Sequence, residues 1–340
     1  MMYSLIMTTI LGLTCISEEL KKIDKKKYSF RTMTRKRFNE LCVRDGRDEA
    51  VKELSERIAH NLYVTQYILR HCHSSDIRHY RLSSSLFPLL TDQTLELAYT
   101  DLPNYKTLDT ELRFIGIIAK TLGISMGSHP DQFNVLASLN KDAVNKSVNE
   151  LNFQASIFDK IGLPQDHTAP MNIHINYTPK EDENLELVAT RFFRNLAMCD
   201  KGVYKRLTIE NEDKGFFNVD NCLKFSDYLF ETFSANIPVC YDNLHDFCNP
   251  SEDRNVAFQA ERCAYTWVNQ EEGDNNFLAP VFHWSEGKPE KPRSHAEYFS
   301  LGNVPPTIAI EPNNEAKWEC EVKGKDKGIR LLRQQMAGAI

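Results

Sequence analysis

Leu207-Thr208-Ile209-Glu210-Asn211-Glu212-Asp213 is a short apolar run that stops on a carboxylate. A buried strand that delivers a charge at its end is costly unless the charge is paired or binds a cation. The same signature recurs along the chain. Ile124–Met126 leads to His129, Asn172–Ile173 to His174, and Val239–Cys240–Tyr241 to Asp242, with His245 three residues on. Val281–Phe282 leads to His283, His295 follows in the next loop, and Trp318–Glu319–Cys320 leads to Glu321.

Outward from these points, eight apolar runs alternate with helical patterns. The runs are Thr9–Leu13, Ile77–Leu82, Ile124–Met126, Met171–Ile175, Leu207–Ile209, Pro238–Tyr241, Pro280–Phe282 and Lys317–Val322. Glu49–Arg70, Leu108–Leu122, Asp142–Ile161, Asn184–Met198, Val219–Phe233 and Glu252–Ala264 read as helices; Leu54, Ile58 and Leu62 give the spacing of one face. Gly123, Gly162, Gly202 and Pro238 mark helix-to-strand turns. Eight strands with helices between them predict an α/β fold, a TIM (β/α)8 barrel forming one domain over residues 1–340. A doubly wound open sheet is the alternative. The seventh helix is weakly written, and Thr307–Asn314 is a further strand candidate.

In a parallel barrel all strands open at their C-terminal ends onto one face, so strand-end residues far apart in sequence converge there. Five histidines and three carboxylates form a mixed nitrogen and oxygen donor set suited to Mn²⁺, Mg²⁺ or Zn²⁺. Alone, each has an ordinary explanation: a strand-end histidine is commonly a structural hydrogen-bonding group, Glu210 could cap a helix, and Asp242 could be a turn residue. Their recurrence at the same end of strands three to eight favours a metal centre. The metal candidates are His129, His174, Glu210, Asp242, His283 and Glu321. Glu210, His245 and His295 are the catalytic candidates, with Glu210 as a bridging ligand. His71-Cys72-His73 closes a helix on what should be the opposite face and is not expected to bind metal.

The net charge of −6 excludes a globally basic nucleic-acid binder, so any such contact must be local. One stretch qualifies: Lys21, Lys22, Lys25, Lys26, Lys27, Arg31, Arg35, Lys36 and Arg37, interleaved with Tyr28, Phe30 and Phe38. It follows the first strand and is expected as a basic loop at about 18–40 on the active face, where it would neutralise phosphates. A solvated loop or an import signal is the competing explanation. In Gly127-Ser128-His129-Pro130-Asp131-Gln132-Phe133, the pair Gln132 and Phe133 offers a polar probe and a flat wedge for a base stack.

The nine cysteines are odd in number and show no CxxC spacing, which predicts free thiols in a reducing, intracellular compartment. Met1–Leu13 is apolar but has no basic n-region or cleavage site and reads as a first strand; no segment of membrane-spanning length follows. Nothing points to an obligate protein partner, and a monomer is expected.

The pieces SMGSHPDQF, MNIHIN, LTIENEDK, VCYDNLH, VFHWSEG followed by RSHAEY, and CEVKGKDKG resemble the UV damage endonucleases in order and spacing, from Leu11 to Lys325. The resemblance implies a TIM barrel with a divalent cluster, usually Mn²⁺, and a single incision immediately 5′ to pyrimidine dimers and related lesions in double-stranded DNA. It implies that His129, His174, Glu210, Asp242, His245, His283, His295 and Glu321 are metal and active-site residues, and that Gln132 and Phe133 probe the lesion. The chain departs from the family where Leu13 replaces an aromatic residue, Ser17 an Asn, Ser85 a His of some members, and Val281 a Lys. Rival readings are an abasic-site endonuclease, a sugar-isomerase-like metal enzyme on the same fold, and a lesion-binding protein with weak turnover.

Overall fold

The computed structural model describes residues 9–130, 133–269, 276–308 and 315–338. Eight parallel strands form its centre: β1 (Ile10–Thr14), β2 (His79–Leu82), β3 (Ser125–Ser128), β4 (Met171–His174), β5 (Leu207–Glu210), β6 (Val239–Cys240), β9 (Val281–Trp284) and β12 (Lys317–Cys320). Two antiparallel hairpins, β7 (Val268–Asn269) with β8 (Asn276–Phe277) and β10 (Gly287–Lys288) with β11 (Lys291–His295), lie outside this sheet. The strand order is β6-β5-β4-β3-β2-β1-β12-β9, and a parallel bridge between Asp242 and His283 joins the last strand to the first. The sheet is therefore closed, which decides against the open doubly wound alternative.

Helices cover the outside. The long crossovers are α4 (Arg47–Ser74), α5 (Tyr105–Leu122), α6 (Lys141–Ile161), α7 (Leu185–Leu196), α9 (Val219–Phe233) and α11 (Val256–Ala264), and α12 (Lys325–Met336) follows the last strand. Their starts are chemically marked: Asn140, Asn184, Asn218 and Asn255 each accept a backbone N–H of the first turn, satisfying donors that the helix itself leaves open. Gly123 and Gly162 end α5 and α6 at φ of 65° and 83°, a conformation costly for other residues. Gly202, in contrast, lies inside the short helix α8 (Lys201–Tyr204) rather than in a turn. Leu54, Ile58 and Leu62 are fully buried, as the helical spacing requires.

The weak seventh helix has a structural counterpart. Among the described residues between β9 and β12, the chain forms the β10–β11 hairpin and no helix. Thr307 and Ile308 are not in a strand, and the rest of that strand candidate lies outside the described residues. The basic stretch is not a loop either. It folds into α1 (Glu18–Ile23), α2 (Lys25–Tyr28) and the start of α3 (Arg35–Asp45), because Ser17, Asp24 and Thr34 cap these turns through their side chains.

Along β12, side chains alternate between the two faces of the barrel wall. Trp318 points outward and packs on Phe282 and Trp284, with ring centroids 5.4 and 5.3 Å away. Glu319 and Glu321 point inward. The barrel interior is thus charged on the side that elsewhere in such folds is filled by branched apolar residues.

No helix among the described residues is long and apolar enough to cross a membrane. All nine cysteines are free.

Candidate metal centre

Glu210 ends β5 with 1% side-chain exposure and four imidazoles around it. Its Oε2 lies 3.0 Å from His129 Nε2 and 3.9 Å from His174 Nε2. Its Oε1 lies 3.0 Å from His245 Nδ1 and 3.1 Å from His283 Nδ1. Asn172, inward on β4, donates to Oε2 and accepts from Thr208, which fixes the carboxylate plane. Burial raises the Glu210 carboxyl, but His283 and His174, aided by hydrogen bonds from His129 and His245, outweigh it and hold the group well below its usual range. Burial also pulls the His174 imidazole down to about 4, keeping one ring nitrogen's lone pair free near neutrality.

A second set adjoins the first. His283 Nδ1 lies 3.7 Å from Asp242 Oδ2 and 3.8 Å from Glu321 Oε1. Donor atoms fall within ion-sized spaces in three overlapping groups: His129, Glu210 and His283; His174, Glu210 and His245; Asp242, His283 and Glu321. Glu210 and His283 each belong to two of them. Strand-end residues of β3 to β6, β9 and β12 therefore do converge. His295, on the β11 hairpin, is set apart. Its Nε2 lies 3.6 Å from Glu321 Oε2 and the side chain is 34% exposed, at the rim of the cluster.

The donor set suits a divalent ion. His174 Nδ1 and His283 Nδ1 are buried without a hydrogen-bond partner, and orphaned buried polar atoms are costly. The His283 atom sits among three carboxylate oxygens, a surrounding that suits a cation held between them. Cys240 lies near His283, but burial pushes its thiol up to about 12, so the set is one of nitrogen and oxygen donors.

The structure adds residues that run-ending reasoning missed. Arg81, inward on β2, pairs with Glu319 at 3.0 Å and with Glu321. Glu319 also contacts His79 and His283. Arg81 and Glu319 lie inside their strands and His79 opens β2, so none of them ends an apolar run. The available signal was the alternation Lys317, Glu319, Glu321 across apolar Trp318 and Cys320.

Glu212 follows the cluster's central carboxylate by two residues. It accepts from the Asn176 backbone N–H at 2.6 Å, and burial raises it to about 7. His71 meets Asp326 at 3.0 Å and Glu19 at 3.5 Å among α4, α12 and α1. Asp326 there also accepts from Ser17 and from the Glu18 and Glu19 backbone, which ties the helices together, and Glu19, His71 and Asp326 bring a further set of donor atoms within ion-sized range.

Phe133 is 77% exposed, a flat apolar surface in water; Gln132 lies outside the described residues. Within the basic stretch, Lys21 pairs with Glu18, Arg35 with Asp92, Lys36 with Glu40 and Arg37 with Glu53. Lys27 lies over the rings of Tyr28 and Tyr67. Lys22, Lys25, Lys26 and Arg31 are exposed. Of the departures, Leu13 is fully buried in the core and Val281 is buried in β9. Ser17 caps α1, and the Ser85 carbonyl accepts from Asn61.

Fold and site together define a closed parallel barrel with a histidine–carboxylate cluster at the C-terminal mouth. A model of the family described as UV-endonuclease UvdE matches residues 9–339, and the chain belongs to that family. A UV DNA damage endonuclease of Nostoc sp. is 31% identical over 329 residues, covering 95% of this chain and 89% of the relative. One of Bacillus cereus is 26% identical, covering 89% and 87%. The crystal structure of SacUVDE superposes with a TM-score of 0.75 at 23% identity, covering 98% of this chain and all of that one. Endonuclease IV from Thermus thermophilus shares the fold with a TM-score of 0.50 at 13% identity, covering 81% and 94%.

Proposed function

We propose that this chain is a metal-dependent DNA-repair endonuclease, one barrel domain that hydrolyses a phosphodiester bond immediately 5′ to UV photoproducts. Cyclobutane dimers and 6-4 products are its substrates in double-stranded DNA, with abasic sites as a second substrate. The observation that carries this reading is the convergence of seven side chains, Glu210 and His283 at their centre, in a chain of the UvdE family.

His129, His174, Glu210, Asp242, His283 and Glu321 would hold the ions, Mn²⁺ foremost, with Mg²⁺ and Zn²⁺ as alternatives. Bound there, such ions supply Lewis acidity toward a phosphate oxygen and an activated water. The protein's own contribution is positioning. Each Glu210 oxygen faces two imidazoles, so Glu210 would serve both ligand groups, and Asn172 and Thr208 keep its carboxylate from rotating. Asp242 caps α10 (Asn243–Cys248) through Oδ1, accepting from Leu244 and His245, which leaves Oδ2 facing His283. The same cap places His245 against Glu210. His245 and His295 flank the cluster as contacts for the scissile phosphate and its leaving oxygen.

Phe133 is the wedge, with Gln132 beside it, that fills the space left when two damaged bases leave the stack. Exposed Lys22, Lys25, Lys26 and Arg31 supply phosphate contacts. The chain acts as a monomer inside the cell, in keeping with its nine free thiols. The test is a nicking assay on irradiated, abasic and intact plasmid. Irradiated DNA should be cut first and intact DNA last; equal cutting of all three would reject lesion specificity. Cutting of abasic DNA alone would favour the abasic-site endonuclease reading.

A further inference from the structure

The barrel has a second end. Away from the cluster, at the N-terminal ends of the strands, a cavity of about 630 Å³ opens between α5, the end of α6 and the starts of β3 and β12. Volumes of about 300–1,000 Å³ are typical of small-molecule sites. Most of its wall is apolar: Ile117 of α5, Ile124 and Met126 at the start of β3, and Ile161, Leu163 and Pro164 at and after the end of α6. None of the metal-ligand candidates lines it.

Lys317 brings a charge into this wall. It opens β12 two residues before Glu319, so the alternation of the strand turns its side chain into the barrel, one layer below Glu319. Its register neighbours on the adjoining strands are Ile10 and Val281. Among the described residues, no ion pair or hydrogen bond engages its ammonium. Asp166 attracts it through space, but Asp166 Oδ1 already accepts from the Thr168 backbone N–H and hydroxyl. Glu319 is held by His79 and Arg81. Burial draws the Lys317 ammonium down to about 8. Charges drawn into apolar surroundings are ordinarily paired, and this one is half-buried and lines a cavity with room for a partner. Arg113 and Lys120 of α5 also line the cavity, both exposed, and neither is in an ion pair among the described residues.

We propose that this cavity is a second binding site, which takes a small organic carboxylate with an aliphatic body. The carboxylate pairs with Lys317 Nζ, and the chain lies on the apolar wall, where each buried methylene adds affinity. One ammonium set in an apolar wall matches one negative charge. A phosphate asks for several donors at once, and the other two cations, Arg113 and Lys120, stand in solvent. There they draw an anion toward the opening. The site lies at the opposite end of the barrel from the cluster and does not rest on the metal-centre reading.

The test is calorimetric titration of the full chain with octanoate, octanol and acetate. Octanoate should bind about tenfold or more tightly than either of the others, because octanol lacks the charge and acetate the chain. It should also shift the ¹³C-methyl signal of Met126, which lines the cavity. Lys317→Met should bind octanoate no better than octanol. Ile117→Glu places a carboxylate on the wall at an exposed helix position, and should weaken octanoate more than octanol; it carries the test if Lys317→Met does not fold. No binding of octanoate by the wild-type protein, or equal binding of octanoate and octanol, overturns the proposal. So does wild-type octanoate affinity in folded Lys317→Met, or a Met126 signal that octanoate leaves in place.

Discussion

The β3–β6 side of the barrel and the β9–β2 side meet at His283, and they carry charge in different ways. On the first, the ligand candidates end their strands at the mouth, and the side chains of His129, His174 and His245 keep 16–19% exposure. On the second, Glu319, His79 and Arg81 lie within strands, with side-chain exposures of 3%, 0% and 11%. Groups at the mouth can reach an ion and a phosphate. Groups one layer down reach each other and the ligand candidates themselves, Arg81 pairing with Glu321 and Glu319 lying beside His283. One side is built for contact and the other for support, and a division of labour of this kind is common around metal sites.

The largest effect should come from the contact side. Glu210→Gln removes the carboxylate shared by two ligand groups and should slow nicking by on the order of 10³-fold, the equivalent of several kcal/mol of lost charge stabilisation. A rate within tenfold of wild type would show that the two halves do not divide as ligand and support.

A buried histidine outside both sides provides the next test. His167 is buried near Trp267, and burial lowers it to about 4, with Nε2 left without a partner. Its folded-state value lies below the ordinary 6.5, so between about 6.5 and 4 the unfolded chain binds the extra proton. Its contribution is complete above that window and is lost as pH falls through it, up to about 3 kcal/mol. Urea unfolding at pH 7.5 and 5 should show that loss, and His167→Gln should show less of it. An equal loss in the variant would place the acid sensitivity in the cluster instead.

Phe133→Ala tests the far rim of the contact side. Stacking contributes about 1–3 kcal/mol per base, so preference for irradiated over intact DNA should fall about tenfold or more. Unchanged preference would return Phe133 to the role of an ordinary surface residue. The smallest effect is electrostatic. Each of Lys22, Lys25 and Lys26 replaced by Gln should reduce the salt slope of duplex binding by about 0.9, with lesion preference unchanged. A loss of preference instead would give the basic helices a part in recognition.

The same comparison explains how far the sequence could be read. Where a polar residue ends an apolar run, as Glu210, His174 and Asp242 do, the break in pattern is visible and parallel topology supplies the convergence. Glu319 breaks no pattern, because alternation of polar and apolar residues is what an ordinary half-exposed strand shows. Its partners His79 and His283 are 240 and 36 residues away; His283 is its register neighbour on β9, while His79 reaches it only across Gly12, whose meaning depends on the register of β1 between β12 and β2. The basic stretch reads as loop because its caps, Ser17, Asp24 and Thr34, introduce helices too short for periodicity to register. The weak pattern of the seventh helix is legible, though not the hairpin that the described residues between β9 and β12 form instead.

The central claim is that the strand-end cluster is a divalent metal centre that cuts damaged DNA. The most direct test strips the wild-type protein with a chelator and follows nicking of irradiated and intact plasmid before and after Mn²⁺ is restored. No nicking of irradiated DNA by the stripped protein, with recovery on Mn²⁺ and little cutting of intact DNA, is the predicted result. Undiminished nicking by the stripped protein, or none with Mn²⁺, Mg²⁺ or Zn²⁺ restored, would contradict it.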